Sequence, residues 1–313
     1  GRVHTHELTP RWDDQRQTWN IGLEPWDTIV GLVQKEGPAD RMGLRENDQI
    51  LAVDGEPVAS ITSDGLDFRA VLDHARNVGG PNLRKLTFHE RGEMLKALAR
   101  YLDEVKAEFY ALSTKTGATK RDSWPDIDGG ISTMFVFSSK GRREMPNDHV
   151  YLDGPPEIIS RNGTFLGQHI YTPKLGAAIH INAFNFPCWG MLEKLAPTLL
   201  AGVPAIVKPA SSTAYLTELM VRRMIESEIL PRGSLQLICG GVGDLFDHLT
   251  CQDTIAFTGS KATAEKLQLH PRVVSESVAF TAEDMIGPWE VRAVDQLEAE
   301  LHTLGLLPAE ARG

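Results

Sequence analysis

From His169 onward the chain alternates short apolar runs with amphipathic ones, and this alternation constrains the fold more than any other feature. A strand over His169–Ala183 precedes a helix over Pro187–Leu200, and a strand over Pro204–Lys208 precedes a helix over Thr213–Glu226. A strand over Leu235–Cys239 precedes a short helix near Asp244–Leu249, and a strand over Thr254–Phe257 precedes a helix over Lys261–Leu269. Repeated strand–helix units of this length predict an α/β fold with a Rossmann-like parallel sheet and helices on both faces. In such a sheet, ligands bind beyond the carboxyl ends of the strands. Two of those ends carry useful chemistry. Asn185 follows the first strand and can offer an amide N–H to a developing oxyanion. Lys208 closes the second and can meet a phosphate or a ribose hydroxyl.

The rest of the chain divides around this region. Residues 1–60 form a zone of short apolar segments cut by Gly, Pro and Asp, with Asp54-Gly55 as a two-residue hairpin signal. Residues 61–283 open with helices. One covers Asp64–Asn77. A second starts at a capping box, with Thr87 as N-cap and Glu90 as its reciprocal partner, and buries the stripe Met94, Leu95, Leu98, Leu102, Val105 and Phe109. Gly117 suits its end, and a further helix covers Asp122–Lys140. In the tail, residues 284–313, Val294, Leu297, Leu301 and Leu304 make one helical stripe.

Composition excludes some functions. Acidic residues outnumber Lys and Arg, 42 against 32, with no basic stripe, which argues against nucleic-acid binding. No apolar run is long enough to span a bilayer. Cys188, Cys239 and Cys251 are an odd set without metal-like spacing, and no metal site is expected; reduced cytoplasmic thiols are the simplest reading. The first residue is Gly1 rather than Met, as in a fragment or a processed chain.

Phe184-Asn185-Phe186-Pro187, Lys208-Pro209-Ala210 and Phe257-Thr258-Gly259-Ser260, in this order and spacing, resemble the aldehyde dehydrogenase superfamily. Leu86–Arg91, Ser123–Gly130 and Phe165–Ile170 narrow the resemblance to the dehydrogenase domain of the bifunctional ring-opening enzyme of phenylacetate catabolism, over roughly Val53 to Glu283. That family oxidises a semialdehyde carried on coenzyme A, using NADP, and assembles through its dehydrogenase domains. The resemblance implies that Asn185 is the oxyanion-stabilising residue, that Lys208 contacts the adenosine ribose, and that Gly259 and Ser260 form the phosphate-facing turn. Ser211 stands where many NAD-using relatives carry a Glu. A Glu would repel a 2′-phosphate, whereas Ser211 leaves room and donates a hydrogen bond, so NADP is expected over NAD. Glu283 falls at the place of the general base. The family's nucleophilic Cys lies downstream of that base, but residues 284–313 contain no Cys, and Cys188, Cys239 and Cys251 do not suit the role. The expectation is therefore a unit that binds NADP without completing thiol-based oxidation.

Residues 1–60 have a resemblance of their own. Gly37-Pro38-Ala39-Asp40-Arg41-Met42-Gly43-Leu44, followed by Asn47–Gly55, is similar to the PDZ domains of site-2-type membrane proteases. Ile21-Gly22-Leu23 would then be the carboxylate-binding loop, taking a peptide C-terminus by β-augmentation. The changes of pattern near Ala52–Ser60 and at Glu283 are those of a composite chain. Two alternatives to the dehydrogenase reading follow from them: a peptide-binding module on an inactive scaffold, and a chimera without evolved function.

Overall fold

Capping and breaker residues set the boundaries of the helices that precede the sheet. The computed structural model describes residues 58–282 throughout, and elsewhere only the backbone of short strands at 11–13, 18–20, 52–53, 56–57 and 283–284. Asp67 caps helix α1 (Phe68–His74), its side chain accepting from Ala70 N at 2.9 Å. The chain continues through a wide turn, Ala75–Gly79, into α2 (Gly80–Arg84). The helix expected over Asp64–Asn77 therefore starts later and runs on further, because Asp67 supplies the cap. Helix α3 (Phe88–Ser113) begins at the expected capping box: Glu90 N donates to Thr87 Oγ1 at 3.2 Å, and Thr87 N donates to Glu90 Oε2 at 2.8 Å. Its stripe Met94, Leu95, Leu98, Leu102 and Phe109 is buried, with Val105 partly so. Burying each leucine contributes about 1.5–3 kcal/mol. Gly117 ends the following turn at φ 86°, a conformation that costs glycine little.

The helix expected over Asp122–Lys140 is broken. Helix α4 (Lys120–Trp124) gives way at Pro125 to a wide turn, Pro125–Gly129, before α5 (Gly130–Arg143). The strand expected over His169–Ala183 is also two elements. Strand β1 (Tyr151–Ile158), which the sequence pattern did not suggest, pairs antiparallel with β2 (Leu166–Tyr171). Pro173 then intervenes, lacking a donor for the ladder, and β3 (Ala178–Ile181) enters a different sheet.

That sheet holds β3, β4 (Ala205–Lys208), β5 (Leu235–Leu237), β6 (Thr254–Gly259) and β7 (Ala279–Asp284) in the order β7-β6-β3-β4-β5, all parallel. Helices α6 (Trp189–Leu200), α7 (Ala214–Glu226), α8 (Lys261–Gln268) and α9 (Pro271–Ser275) connect the strands. The expected short helix near Asp244–Leu249 is a 3-10 turn, Leu245–His248. Side chains alternate between two buried clusters. Ile179, Ile181, Ile206, Ile255 and Phe257 join α1 and the Leu245–His248 turn on one face. Ala205, Val207 and Leu235 join α3, α5, α6 and α7 on the other. The sheet is thus covered on both sides, as a parallel sheet requires.

Upstream, Ala52–Val53 pairs antiparallel with Glu56–Pro57 around Asp54-Gly55, as that dipeptide signals. The proposed carboxylate-binding loop Ile21-Gly22-Leu23, most of the PDZ-like segment and the helical tail lie outside the described residues. No described helix is long and apolar enough to cross a membrane.

Candidate active site

The strand order reverses at β3. From β3 the chain adds β4 and β5 on one side, then returns to place β6 and β7 on the other. The crevice beyond the carboxyl ends at such a switch point is where an open α/β sheet takes its ligand. Asn185 lies in the turn after β3, Lys208 ends β4, and Ser211 follows in the 3-10 turn Ser211–Thr213. Gly259 ends β6, Ser260 follows it, and Glu283 lies near the end of β7, opposite Thr258. All six sequence-derived candidates therefore come to one sheet edge. The side chain of Glu283 lies outside the described residues.

The Asn185 turn is held from three directions. Thr213 Oγ1 donates to Phe184 O at 3.2 Å, and Thr217 Oγ1 donates to Pro187 O at 3.0 Å, both from the α7 side. Asp126 reaches across from the Pro125–Gly129 turn. Its Oδ1 accepts from Cys188 N at 2.9 Å and from Trp189 N at 2.8 Å, capping α6 directly behind Asn185. Phe186 packs edge-on against Trp189 at 5.7 Å between ring centres. Asn185 itself is exposed, so the turn presents it to solvent rather than burying it. Sequence reasoning missed Asp126, although it lies inside a stretch that carried the family resemblance. An acidic residue in a Pro-Asp turn reads locally as a helix start, and nothing local points to a partner sixty-two positions away.

The electrostatics sort these groups. Burial pushes the Asp126 carboxyl up to about 6, against the pull of the two backbone N–H groups and of Cys188. Burial lowers the Lys208 ammonium, with the Cys239 thiol acting the other way, and Lys208 makes no ion pair among the described residues. Its carbonyl accepts from Asn182 N at 3.0 Å, which ties the ends of β3 and β4 together. Ser260 caps α8, accepting from Thr263 N at 3.3 Å, so the free amides of that helix's first turn face the end of β6. Gly259 is required by a close approach: an added Cβ would meet the Phe257 ring at 2.6 Å.

Neither Cys188 nor Cys239 is activated. Burial, followed by Asp126, drives Cys188 well up, and burial and Glu218 raise Cys239 while Lys208 lowers it. Cys251 precedes β6, at the opposite edge of the sheet. Nucleophilic cysteines need depressed values instead.

A profile described as "Aldehyde dehydrogenase family" matches residues 43–276, beginning upstream of Val53 and ending before Glu283. A 3,4-dehydroadipyl-CoA semialdehyde dehydrogenase from Aromatoleum evansii is 42% identical over 232 residues, covering 74% of this chain and 45% of that protein. A D-glyceraldehyde dehydrogenase (NADP(+)) from Picrophilus torridus is 28% identical, covering 58% and 36% of the two chains. The chain thus spans less than half the length of these two curated relatives. Among solved structures, an NADP-dependent enzyme from E. coli superposes with TM-score 0.60 at 22% identity, over 74% of this chain and 46% of that one. A betaine aldehyde dehydrogenase point mutant from Staphylococcus aureus, in complex with NAD+, gives TM-score 0.59 at 21% identity, over 73% and 44%. These similarities establish the fold.

Proposed function

Since the chain belongs to the aldehyde dehydrogenase family, we propose that its α/β unit is the NADP-binding part of a dehydrogenase acting on a semialdehyde carried on coenzyme A. The observation that carries this reading is the meeting of Lys208, Ser211, Gly259 and Ser260 with the Asn185 turn at one sheet edge. The residues fit the cofactor. Lys208 is a half-buried cation without a carboxylate partner among the described residues, and the α8 N-terminus offers free amides. Bound NADP supplies a two-electron hydride acceptor. Lys208 and the α8 amides hold its phosphate and ribose end. Ser211 is exposed and accommodates a 2′-phosphate where a carboxylate would repel it.

On the substrate side, Asn185 donates its amide N–H to the oxygen of the reacting carbonyl, where negative charge develops. Glu283 would act as the general base, taking a proton from the water whose oxygen adds to the carbonyl carbon and becomes part of the acid. The coenzyme A-linked substrate class rests on the likeness to the Aromatoleum protein. Fluorescence titration with NADPH tests the cofactor half of the proposal. Saturable binding, weaker for NADH, is the expected result; no binding at millimolar NADPH refutes it.

A further inference from the structure

At the amino end of the sheet, opposite the edge that carries Asn185 and Lys208, lies a hollow of about 450 Å³. Leu175 and Gln252, on the segments entering β3 and β6, line one side. Arg76 and Asn77 from the Ala75–Gly79 turn, with Pro81 and Arg84 of α2, line the other. Arg84 is the group that needs explaining. Its Nη1 is buried against Gly80, where an added Cβ would lie 2.6 Å away, and has no hydrogen-bond partner among the described residues. Burial lowers its pKa, and no neighbouring charge acts the other way. An arginine does not shed its proton, so the charge persists and is stabilised only by an anion.

The acids nearby are committed elsewhere. Arg76 Nε and Nη2 donate to Asp253 Oδ1 and Oδ2 at 3.3 and 2.5 Å, and Nη2 also donates to His248 O at 2.9 Å. Asp253 is fully buried and accepts further from Ala177 N, Thr250 N and Thr250 Oγ1. Asp73 is exposed, 3.9 Å from Arg76 Nη1 and 4.0 Å from Arg69 Nε, beyond hydrogen-bond reach of either. Arg76 is therefore fixed in place with Nη1 still able to donate. Gln252 Oε1 accepts from Leu175 N at 3.2 Å, which leaves its Nε2 as a donor, and Asn77 adds an exposed amide.

Two guanidinium groups and two amides thus surround a hollow whose lining holds no carboxylate. That set complements an oxyanion. A carboxylate brings two oxygens in one plane. A phosphomonoester brings three acceptor oxygens and close to two negative charges, and so meets more of the donors. Arginine forks suit phosphate in particular. The hollow is larger than a bare ion, and Pro81 and Leu175 supply an apolar flank. We infer that it binds a phosphomonoester, with the phosphate on Arg84, the donors of Arg76 Nη1, Asn77 and Gln252 around it, and the organic part against Pro81 and Leu175. The site is separate from the crevice beyond β3 and β4 and stands independently of the dinucleotide reading.

Titration calorimetry of the full chain at constant ionic strength tests this with phenyl phosphate and with benzoate, the carboxylate of matching shape. The wild type should bind phenyl phosphate at least tenfold more tightly than benzoate. Arg84→Gln should weaken phenyl phosphate about tenfold or more, the scale of a charge-assisted hydrogen bond. Gln252→Glu, at an exposed position, keeps the acceptor for Leu175 N but sets a negative charge beside the phosphate, and should weaken it about as much. This second variant carries the test if Arg84→Gln does not fold. Lys208→Met, at the opposite edge of the sheet, should leave phenyl phosphate affinity within about twofold. Absence of binding by the wild type, equal affinity for benzoate, unchanged affinity in folded Arg84→Gln or in Gln252→Glu, or a tenfold loss in Lys208→Met would each overturn the assignment.

Discussion

Asp126 anchors the candidate site through a buried carboxylate, and its titration supplies a signed prediction. In the folded chain the carboxyl titrates near 6, against an ordinary value of 3.8, because burial penalises the charged form. Between those values the native state takes up a proton that the unfolded state does not. Stability contributed by this residue therefore rises as pH falls from about 6 to about 4. At roughly 1.4 kcal/mol per pH unit, the gain is on the order of 3 kcal/mol. His180 acts in the opposite direction. Burial holds it near 3, against 6.5 when free, so its contribution is present above pH 6.5 and is lost as pH falls below that value. In the wild type the two slopes largely offset each other over the shared window.

Replacing Asp126 with Asn keeps an acceptor for the Cys188 and Trp189 amides but removes the titration. The variant should lose stability below pH 6.5 more steeply than the wild type, the gap between them changing by about 3 kcal/mol between pH 7 and pH 4. Other carboxylates cancel in this difference. Asp126→Ala, which orphans two buried amides, should be less stable than Asp126→Asn at every pH by about 2–4 kcal/mol. Urea denaturation at several pH values measures both quantities. Parallel stability curves for wild type and Asp126→Asn would refute the assignment of Asp126 as a buried, proton-binding cap.

Three further outcomes are expected. Lys208→Met should weaken NADPH at least tenfold in a fluorescence titration. It should also abolish an alkaline decline in affinity, since burial brings deprotonation of Lys208 to lower pH than for a free lysine. Ser211→Glu should reverse the preference between NADPH and NADH in a competition titration, by placing a carboxylate against the 2′-phosphate. Gly130→Ala should lower the melting temperature by the equivalent of about 1–3 kcal/mol, because the new Cβ would lie 3.0 Å from Trp189 Cα and 3.1 Å from Leu192 Cδ1, and helix backbone cannot swing aside.

Features set by local chemistry were legible from sequence. The Thr87–Glu90 capping box, the Gly117 termination and the apolar runs at 204–208 and 254–257 all depend on neighbours in the chain, and each is found where its pattern put it. Strand β1 was not legible. Gly154, Pro155 and Pro156 interrupt it, and nearly all of it is exposed, so no alternation of burial marks its faces. The wide turns at Ala75–Gly79 and Pro125–Gly129 keep a helical pattern while changing its pitch, which hydrophobic spacing does not register. The site divides in the same way. Asn185, Lys208, Gly259 and Ser260 stand at strand ends and could be placed from the strand pattern. Asp126 depends on contacts far apart in sequence.

The sheet itself separates the chemistry of the two ends of the proposed ligand. Register puts Lys208 beside Ile181 and Phe257 on one face. Alternation puts Asn182 and Thr258 on the other, next to an α6 N-terminus already occupied by a carboxylate. A dinucleotide lying across the switch point would meet Lys208 on one side and, on the other, neutral hydrogen-bonding groups beside the Asp126 carboxylate. Reversing it would set its phosphates toward Asp126 and leave Lys208, half-buried, without a counter-charge, and both changes are unfavourable for the same Coulombic reason. The orientation of a dinucleotide bound as proposed would follow from strand register, and a single-residue slip of β3 against β4 would exchange the faces and undo it.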